Sequence, residues 1–262
     1  MRPATARFLR FLIPVILLGA ILLVWQIASG PAETFILPSP ASVYQALIDD
    51  WAILGPATWI TLRLTLVALL LAIIIGGGLA LLMAQSRWME WAIFPYAVTL
   101  QVTPIIAIAP MILIWVPDTA TALTILAFIV AFFPILANTI QGLKSADHNL
   151  LSLFELYGAG RWQTLRRLQI PTALPYFLTG VRTAGGLALI GAVVAEFAAG
   201  AAGRGSGLAY RIFDAQFHLN TPLMFAALLL LAATGIAIFV GTGLVAYFLT
   251  RRWHESTAIR EN

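Results

Sequence analysis

Apolar residues along the chain form long runs, each close to the length that crosses a lipid bilayer. A helix rises about 1.5 Å per residue, so roughly 20 apolar residues span a hydrocarbon core of about 30 Å. The pattern therefore predicts an all-α integral membrane protein, a single domain of six transmembrane helices. The predicted helices cover residues 11–29, 60–84, 91–116, 119–141, 176–200 and 222–249.

Two connections between the runs are long enough to carry function. The outer one covers residues 30–56, where Ser42 is the expected cap of a short amphipathic helix that places Val43, Ala46 and Leu47 on one face. The inner one covers residues 144–173 and is the most polar part of the chain.

Within the inner connection, leucines recur at near-helical spacing. We expect two short helices that break at Gly158 and Gly160 and stop at Pro171 and Pro175. An interfacial helix on lipid headgroups and a docking element for a cytoplasmic partner both fit this pattern.

Composition supports the membrane assignment. The chain is 61% hydrophobic and 10% charged, whereas a soluble domain carries about 25% charged residues. It has no cysteine, which excludes thiol catalysis and thiolate metal sites.

The distribution of basic residues predicts the orientation. Eleven of the fifteen Lys and Arg residues flank the same ends of the apolar runs, so the positive-inside rule places the N and C termini in the cytoplasm. The basic residues flank spans and form no single patch, so nucleic acid is not an expected partner. The eleven are Arg2, Arg7, Arg10, Arg87, Lys144, Arg161, Arg166, Arg167, Arg251, Arg252 and Arg260.

Helix breakers and intramembrane charges mark a candidate translocation pathway. Pro104 and Pro110 interrupt the third run, and such breaks survive in a bilayer where neighbours or a water-filled cavity satisfy the backbone. Gly186 belongs to a group of small residues in the fifth run. Arg182 and Glu196 lie 14 residues apart in that run, about 21 Å along a helix, so they do not pair with each other.

Each of the two charges has a second interpretation. Arg182 falls near the predicted start of its span, where it would snorkel to the cytoplasmic interface. Glu196 is also explained by a structural hydrogen bond to a neighbouring helix.

Nucleotide and metal chemistry have no motif here. The chain lacks the G-x-x-x-x-G-K-[ST] phosphate loop, and His148, His218 and His254 are scattered over three segments. We therefore expect a transporter without a cofactor or metal of its own; a membrane-embedded enzyme would need a converging polar cluster, which the sequence does not show.

The inner connection resembles the coupling loop of permease subunits of type I ATP-binding-cassette importers. That loop contains E-A-A, three residues, Gly, nine residues, then I-x-L-P; here Gly158 is followed after nine residues by residues 168–171, Leu-Gln-Ile-Pro. The E-A-A triplet falls on Ser152, Leu153 and Phe154, so serine replaces the glutamate and Glu155 is the candidate substitute. The resemblance implies that the ATPase-coupling residues are Ser152, Leu153, Phe154, Glu155, Gly158 and Arg161.

Further segments resemble the nitrate, sulfonate, taurine and thiamine-pyrimidine branch, among them Leu-Pro-Ser-Pro at 37–40 and Ala-Glu-Phe at 195–197. The resemblance implies a bacterial inner-membrane permease, usually a homodimer, with two ATPase subunits that bind ATP and Mg²⁺ and a binding protein outside. The solute stays open among sulfonate, nitrate, a thiamine or other pyrimidine precursor, and a flavin-like compound. The alternative is a proton-coupled secondary transporter or channel that uses Glu196.

Overall fold

A computed structural model describes residues 3–29, 37–200 and 206–251, with side chains from Leu12 onward. Part of the outer connection (30–36), Arg2, Arg252, Arg260 and His254 lie outside the described residues. The helices are α1 (Pro3–Ala28), α2 (Pro40–Asp49), α3 (Trp51–Gln85), α4 (Arg87–Val102), α5 (Ile105–Trp115), α6 (Thr119–Lys144), α7 (His148–Leu156), α8 (Arg161–Thr164), α9 (Ile170–Ala199), α10 (Leu208–Phe217) and α11 (Thr221–Thr250), with a π-helical turn, Leu165–Gln169, between α8 and α9.

The all-helical, multi-span prediction is confirmed in coarse form. Four helices of the described ranges are long and apolar enough to cross a membrane: α3, α6, α11 and the continuous stretch Arg161–Ala199. The bent pair α4–α5 makes a fifth if it counts as one span, and the apolar part of α1, Leu12–Ala28, is shorter. Six spanning helices with cytoplasmic termini remain a prediction.

The expected single helix over residues 91–116 is wrong. Two helices, α4 and α5, meet there at an angle of 104°. Pro104 has no backbone N–H and restricts the preceding residue, and Thr103 accordingly has an extended backbone (φ −71°, ψ 124°). The side chain of Thr103 donates to the Thr99 carbonyl at 2.7 Å, which satisfies one backbone group at the break.

The expected helix stop at Pro171 and Pro175 is also wrong. The helix runs from α8 through the π-helical turn into α9, with Pro171 in the first turn of α9 and Pro175 inside it. In the wider π-helical turn the N–H of Ile170 donates to the carbonyl of Leu165, five residues back. The helix is therefore not interrupted before Pro171. The fifth span therefore begins before residue 176.

Helices α3, α6 and α9 form the centre of the bundle, with their backbones close together. A Cβ added at Gly142, Gly180 or Gly191 would lie within 3.0 Å of the backbone of the facing helix. Gly180 faces Pro134 and Gly191 faces Ala127, so α6 and α9 run antiparallel. The buried residues between them are mostly alanine and leucine.

Helix α2 and the start of α3 occupy much of the predicted outer connection, residues 30–56. Helix α2 is capped by Ser39, whose side chain accepts from the N–H of Ser42, so the expected cap at Ser42 is wrong. Val43 of α2 is 1% exposed and packs with Leu54 and Leu208. Helix α3 begins at Trp51, well before the predicted start at residue 60.

Helix α1 is joined to this region near its C-terminal end. The indole N–H of Trp25 donates to the Pro38 carbonyl at 3.0 Å, and its ring lies 6.1 Å from that of Phe225. Most of the described side chains of α1 are exposed.

Candidate functional site

The bundle has two ends that carry different polar groups. We call them the loop end, which holds residues 144–173, and the α10 end, where α2 and α10 lie. The candidate coupling residues are all at the loop end, and Glu196 is at the α10 end.

Helix α7, at the loop end, has a side-chain cap before its first residue and a glycine turn after its last one. The Asp147 carboxylate accepts from the N–H of Asn149 at 2.7 Å. Gly158 follows the helix with φ +69°, a left-handed conformation that favours glycine, and its N–H donates to the Glu155 carbonyl at 2.9 Å. This turn ends α7 and leads into α8.

Large apolar side chains are exposed at the C-terminal end of α7 and just after it. Leu156 is 85% exposed and Tyr157 84%, while Leu153 is 44% exposed. We call these three residues the coupling tip. Phe154, a predicted coupling residue, is only partly exposed, whereas Ser152 is exposed beside the tip. Leu156 is one of the leucines that recur at helical spacing in the sequence, but the family signature did not mark it as a coupling residue. Nothing in the sequence marked Tyr157.

Three of the predicted coupling residues line one cavity. Glu155, Gly158 and Arg161 line a cavity of about 510 Å³, together with Ala84 and Gln85 at the end of α3. The structure thus brings three of the six predicted coupling residues together, between α7 and the bundle. The side chains of Glu155 and Arg161 are also exposed on the protein surface.

Apolar packing and one ion pair fasten the loop end. Leu165 of the π-helical turn is 3% exposed and packs with Leu143 and Ala173. Beside them Lys144 Nζ lies 2.6 Å from Glu90 Oε1, which ties the last turn of α6 to the first turn of α4. These contacts join the later part of the loop to α3, α6 and α9.

At the α10 end, Glu196 is 3% exposed and its carboxylate holds the start of α10. Its Oε1 accepts from the Thr61 hydroxyl at 2.8 Å, and its Oε2 accepts from the Ala209 N–H at 2.9 Å. The Thr61 oxygen in turn accepts from the Leu208 N–H at 2.8 Å. A carboxylate is stabilised at a helix N-terminus, where backbone N–H groups lack intrahelical partners.

Gly207 makes this arrangement possible. A Cβ at that position would overlap with the carboxylate of Glu196, so a side chain has no room there. We call Glu196, Thr61, Gly207 and the first turn of α10 the latch. The sequence marked Glu196, but nothing in it linked Thr61 or Gly207 to that residue.

Arg182 has a different environment on the same helix. Its guanidinium lies over the ring of Phe239 of α11, 4.0 Å from the centroid. The residue is exposed, and no acidic side chain pairs with it among the described residues. Gly186, one turn further on, is also exposed, and nothing lies within 4 Å of where its Cβ would be.

The five predicted pathway residues therefore fall in three places. Arg182 and Gly186 share the exposed side of α9, and Glu196 belongs to the latch. Pro104 and Pro110 are exposed on the bent segment, next to buried Ala109, which packs with Leu64 and Ala192. The described residues contain no group of three His, Cys, Asp or Glu side chains arranged to hold a metal.

Comparison with protein families decides the assignment. The model of the family described as "Binding-protein-dependent transport system inner membrane component" matches residues 68–254, which is more than two thirds of the chain. The chain belongs to this family. It is thus a multi-pass permease of the bacterial inner membrane, and the family resemblance seen in the sequence is confirmed.

Individual relatives of the permease agree. It is 38% identical to the riboflavin transport system permease protein RibX of Chloroflexus aurantiacus over 93% of this chain and 90% of that one. It is 32% identical to the formylaminopyrimidine transport permease protein ThiX of Halalkalibacterium halodurans over 86% and 90%. An inward-facing structure of the MetNI methionine ABC transporter matches with a TM-score of 0.64 at 19% identity, covering 77% of this chain and 98% of that one, which supports the fold.

Proposed function

We propose that the chain is the membrane-spanning subunit of a binding-protein-dependent importer that is driven by a separate ATPase. The observation that carries this proposal is the coupling tip, an exposed apolar surface at the end of α7, on a loop whose later part is anchored by buried Leu165 against Leu143 and Ala173. Exposed Leu156 and Tyr157 suit an apolar groove on a protein partner better than they suit water.

The proposed assembly contains two copies of this chain and two ATPase subunits. Each loop end faces the cytoplasm, as the positive-inside rule predicts. There it contacts one ATPase subunit, as the family resemblance implies. ATP and Mg²⁺ are bound by the ATPase, and this chain supplies no cofactor site. A binding protein delivers the solute at the α10 end. Closure of the ATPase dimer turns the pathway outward, and hydrolysis resets it.

The proposed solute is a small polar or aromatic compound of the sulfonate, nitrate, pyrimidine or flavin group. RibX and ThiX are named for riboflavin and a formylaminopyrimidine, both nitrogen heterocycles. The ring of Phe239 and the guanidinium of Arg182 fit the heterocyclic members of the group. A flavin or pyrimidine compound is therefore the first solute to test.

A proton-coupled transporter that uses Glu196 is the competing function. Both oxygens of that carboxylate accept hydrogen bonds within the latch, and the residue is 3% exposed. The hydrogen bonds account for Glu196 in structural terms, and no observation favours the proton mechanism.

Uptake in proteoliposomes tests the proposal. We expect uptake of radiolabelled riboflavin or pyrimidine precursor to require the genomically adjacent ATPase, internal ATP and a loaded binding protein, and to be unaffected by a protonophore. Uptake that persists without ATP and collapses with the proton gradient would favour the competing function.

A further inference from the structure

Arg182 lies at mid-depth in the bundle. It is twelve residues, or about 18 Å, from the start of α9, and it follows Gly180, which contacts Pro134 near the middle of α6. The helix begins well before residue 176, so Arg182 does not lie at the start of its span, as the sequence had suggested. An arginine at mid-depth is costly unless it faces water, an acceptor or a partner charge.

No acidic residue of this chain supplies that charge. Of the eleven acidic residues in the sequence, only Glu90 and Glu196 belong to α1, α3, α4, α5, α6, α9 or α11. Glu90 pairs with Lys144 at the loop end, and Glu196 is held in the latch. A second copy carries the same residues at the same depths, so a homodimer adds no counter-charge near Arg182.

The guanidinium of Arg182 is held in position by Phe239. One face lies over Phe239, and Gly243, one turn further along α11, leaves space beside it: a Cβ there would be 4.0 Å from the guanidinium carbon. The residue as a whole is exposed. A planar guanidinium held in this way donates in a fixed fork that matches two oxygens in one plane.

We propose that Arg182 and Phe239 form a solute site in the translocation pathway that binds oxygen acceptors lying in one plane. The ligand group is either an oxyanion, such as a carboxylate, sulfonate or nitrate, or the carbonyl edge of a heterocycle. This inference rests on the proposed function, because it makes the exposed side of α9 part of the pathway. Phe239 acts as a positioning residue for Arg182.

The absence of cysteine from the chain allows a direct test. Gly186→Cys places a thiol one turn from Arg182 in open space. In nanodiscs that hold the full chain with any copurifying ATPase, we compare the reaction of this thiol with anionic 2-sulfonatoethyl and cationic 2-(trimethylammonium)ethyl methanethiosulfonate. The anionic reagent should be preferred, and Arg182→Gln should reduce that preference on the order of tenfold. Phe239→Leu should reduce it less.

Arg63→Gln is the matched control, since Arg63 is also exposed but lies near the α10 end of α3, two residues from Thr61. It should leave the preference at position 186 unchanged. Failure of both reagents to react, while membrane-permeant N-ethylmaleimide does react, would place Arg182 against lipid and overturn the proposal. A preference that does not depend on Arg182 would also overturn it.

Protection experiments identify the ligand group. Riboflavin, ethanesulfonate and nitrate are each added at millimolar concentration before the reagent, with choline as the cationic control. At least one oxygen-bearing probe should slow modification, and only when Arg182 is present. Protection by riboflavin indicates the carbonyl edge, and protection by ethanesulfonate or nitrate indicates an oxyanion. If none of the three compounds protects the thiol, the solute site is contradicted, even where ATP-driven uptake is observed. The thiol reactions can also be measured if uptake fails, so the two proposals are tested separately.

Discussion

The α10 end and the loop end of α9 are built from opposite kinds of contact. At the α10 end the latch is buried, and both Glu196 oxygens accept hydrogen bonds. At the loop end the coupling tip leaves Leu156 and Tyr157 more than four-fifths exposed. Buried polar groups with full sets of partners hold a structure together, whereas exposed apolar side chains gain free energy when a partner covers them. We infer that the latch fixes the bundle and the coupling tip receives a partner.

The largest expected effect on folding comes from removing the carboxylate of the latch. Glu196→Leu leaves the Thr61 hydroxyl and the Ala209 N–H buried without partners, at about 1–3 kcal/mol for each group. We expect a strongly lowered Tm and little assembled protein. Glu196→Gln is the control: it keeps one acceptor oxygen, and most of the assembly and uptake should survive. If the Gln variant assembles fully but does not transport, the latch is not the main role of Glu196.

A smaller loss is expected when Thr61 becomes valine, which keeps the shape of the side chain. The change removes both the donor to Glu196 and the acceptor for the Leu208 N–H, for a cost of about 1–3 kcal/mol. Thr65→Val is the matched control, because Thr65 is equally buried but its hydroxyl bonds only to the Thr61 carbonyl within α3. Equal shifts in Tm for the two variants would show that the latch adds nothing specific.

At the loop end, Glu155→Ala should weaken ATPase binding modestly. Glu155 is exposed, and ion pairs between exposed groups contribute only about 0–1 kcal/mol. Titration of the detergent-solubilised permease with its ATPase should show an affinity change of fivefold or less. A complete loss of binding would mean that Glu155, and not the apolar coupling tip, dominates the contact.

The smallest effect is expected at Asp118, between α5 and α6. The hydroxyl of Thr121, followed by its N–H, lowers the pKa of this carboxyl below its ordinary value of about 3.8. Because the pKa is lower in the folded protein, the stabilisation is complete above the unfolded value and disappears as the pH falls through the lowered one. Asp118→Asn should lower Tm slightly at neutral pH. The difference from the wild type should vanish in strong acid, and a constant difference at all pH values would contradict this cap.

The sequence allowed prediction of the apolar helices and the coupling loop because their signals are local. The length of each apolar run and the spacing from Gly158 to Pro171 can each be read within one segment. The latch was not predictable, since Thr61 and Glu196 are 135 residues apart and only the antiparallel packing of the bundle joins them. Pro104 and Pro171 show the limit of local rules: the first bends the chain by 104°, while a π-helical turn accommodates the second.

Copurification of the ATPase with a Leu156→Asp permease tests the central claim most directly. The charge would be desolvated without a partner in an apolar groove, so we expect the ATPase to be lost and stimulation by loaded binding protein to disappear, while Tm stays near that of the wild type. His148→Asp is the control: it adds the same charge to α7 at its exposed N-terminal end, where an acidic residue is favourable, and it should copurify normally. If the Leu156→Asp permease retains the ATPase and full stimulation, the coupling tip is not the contact and the proposed mechanism is contradicted.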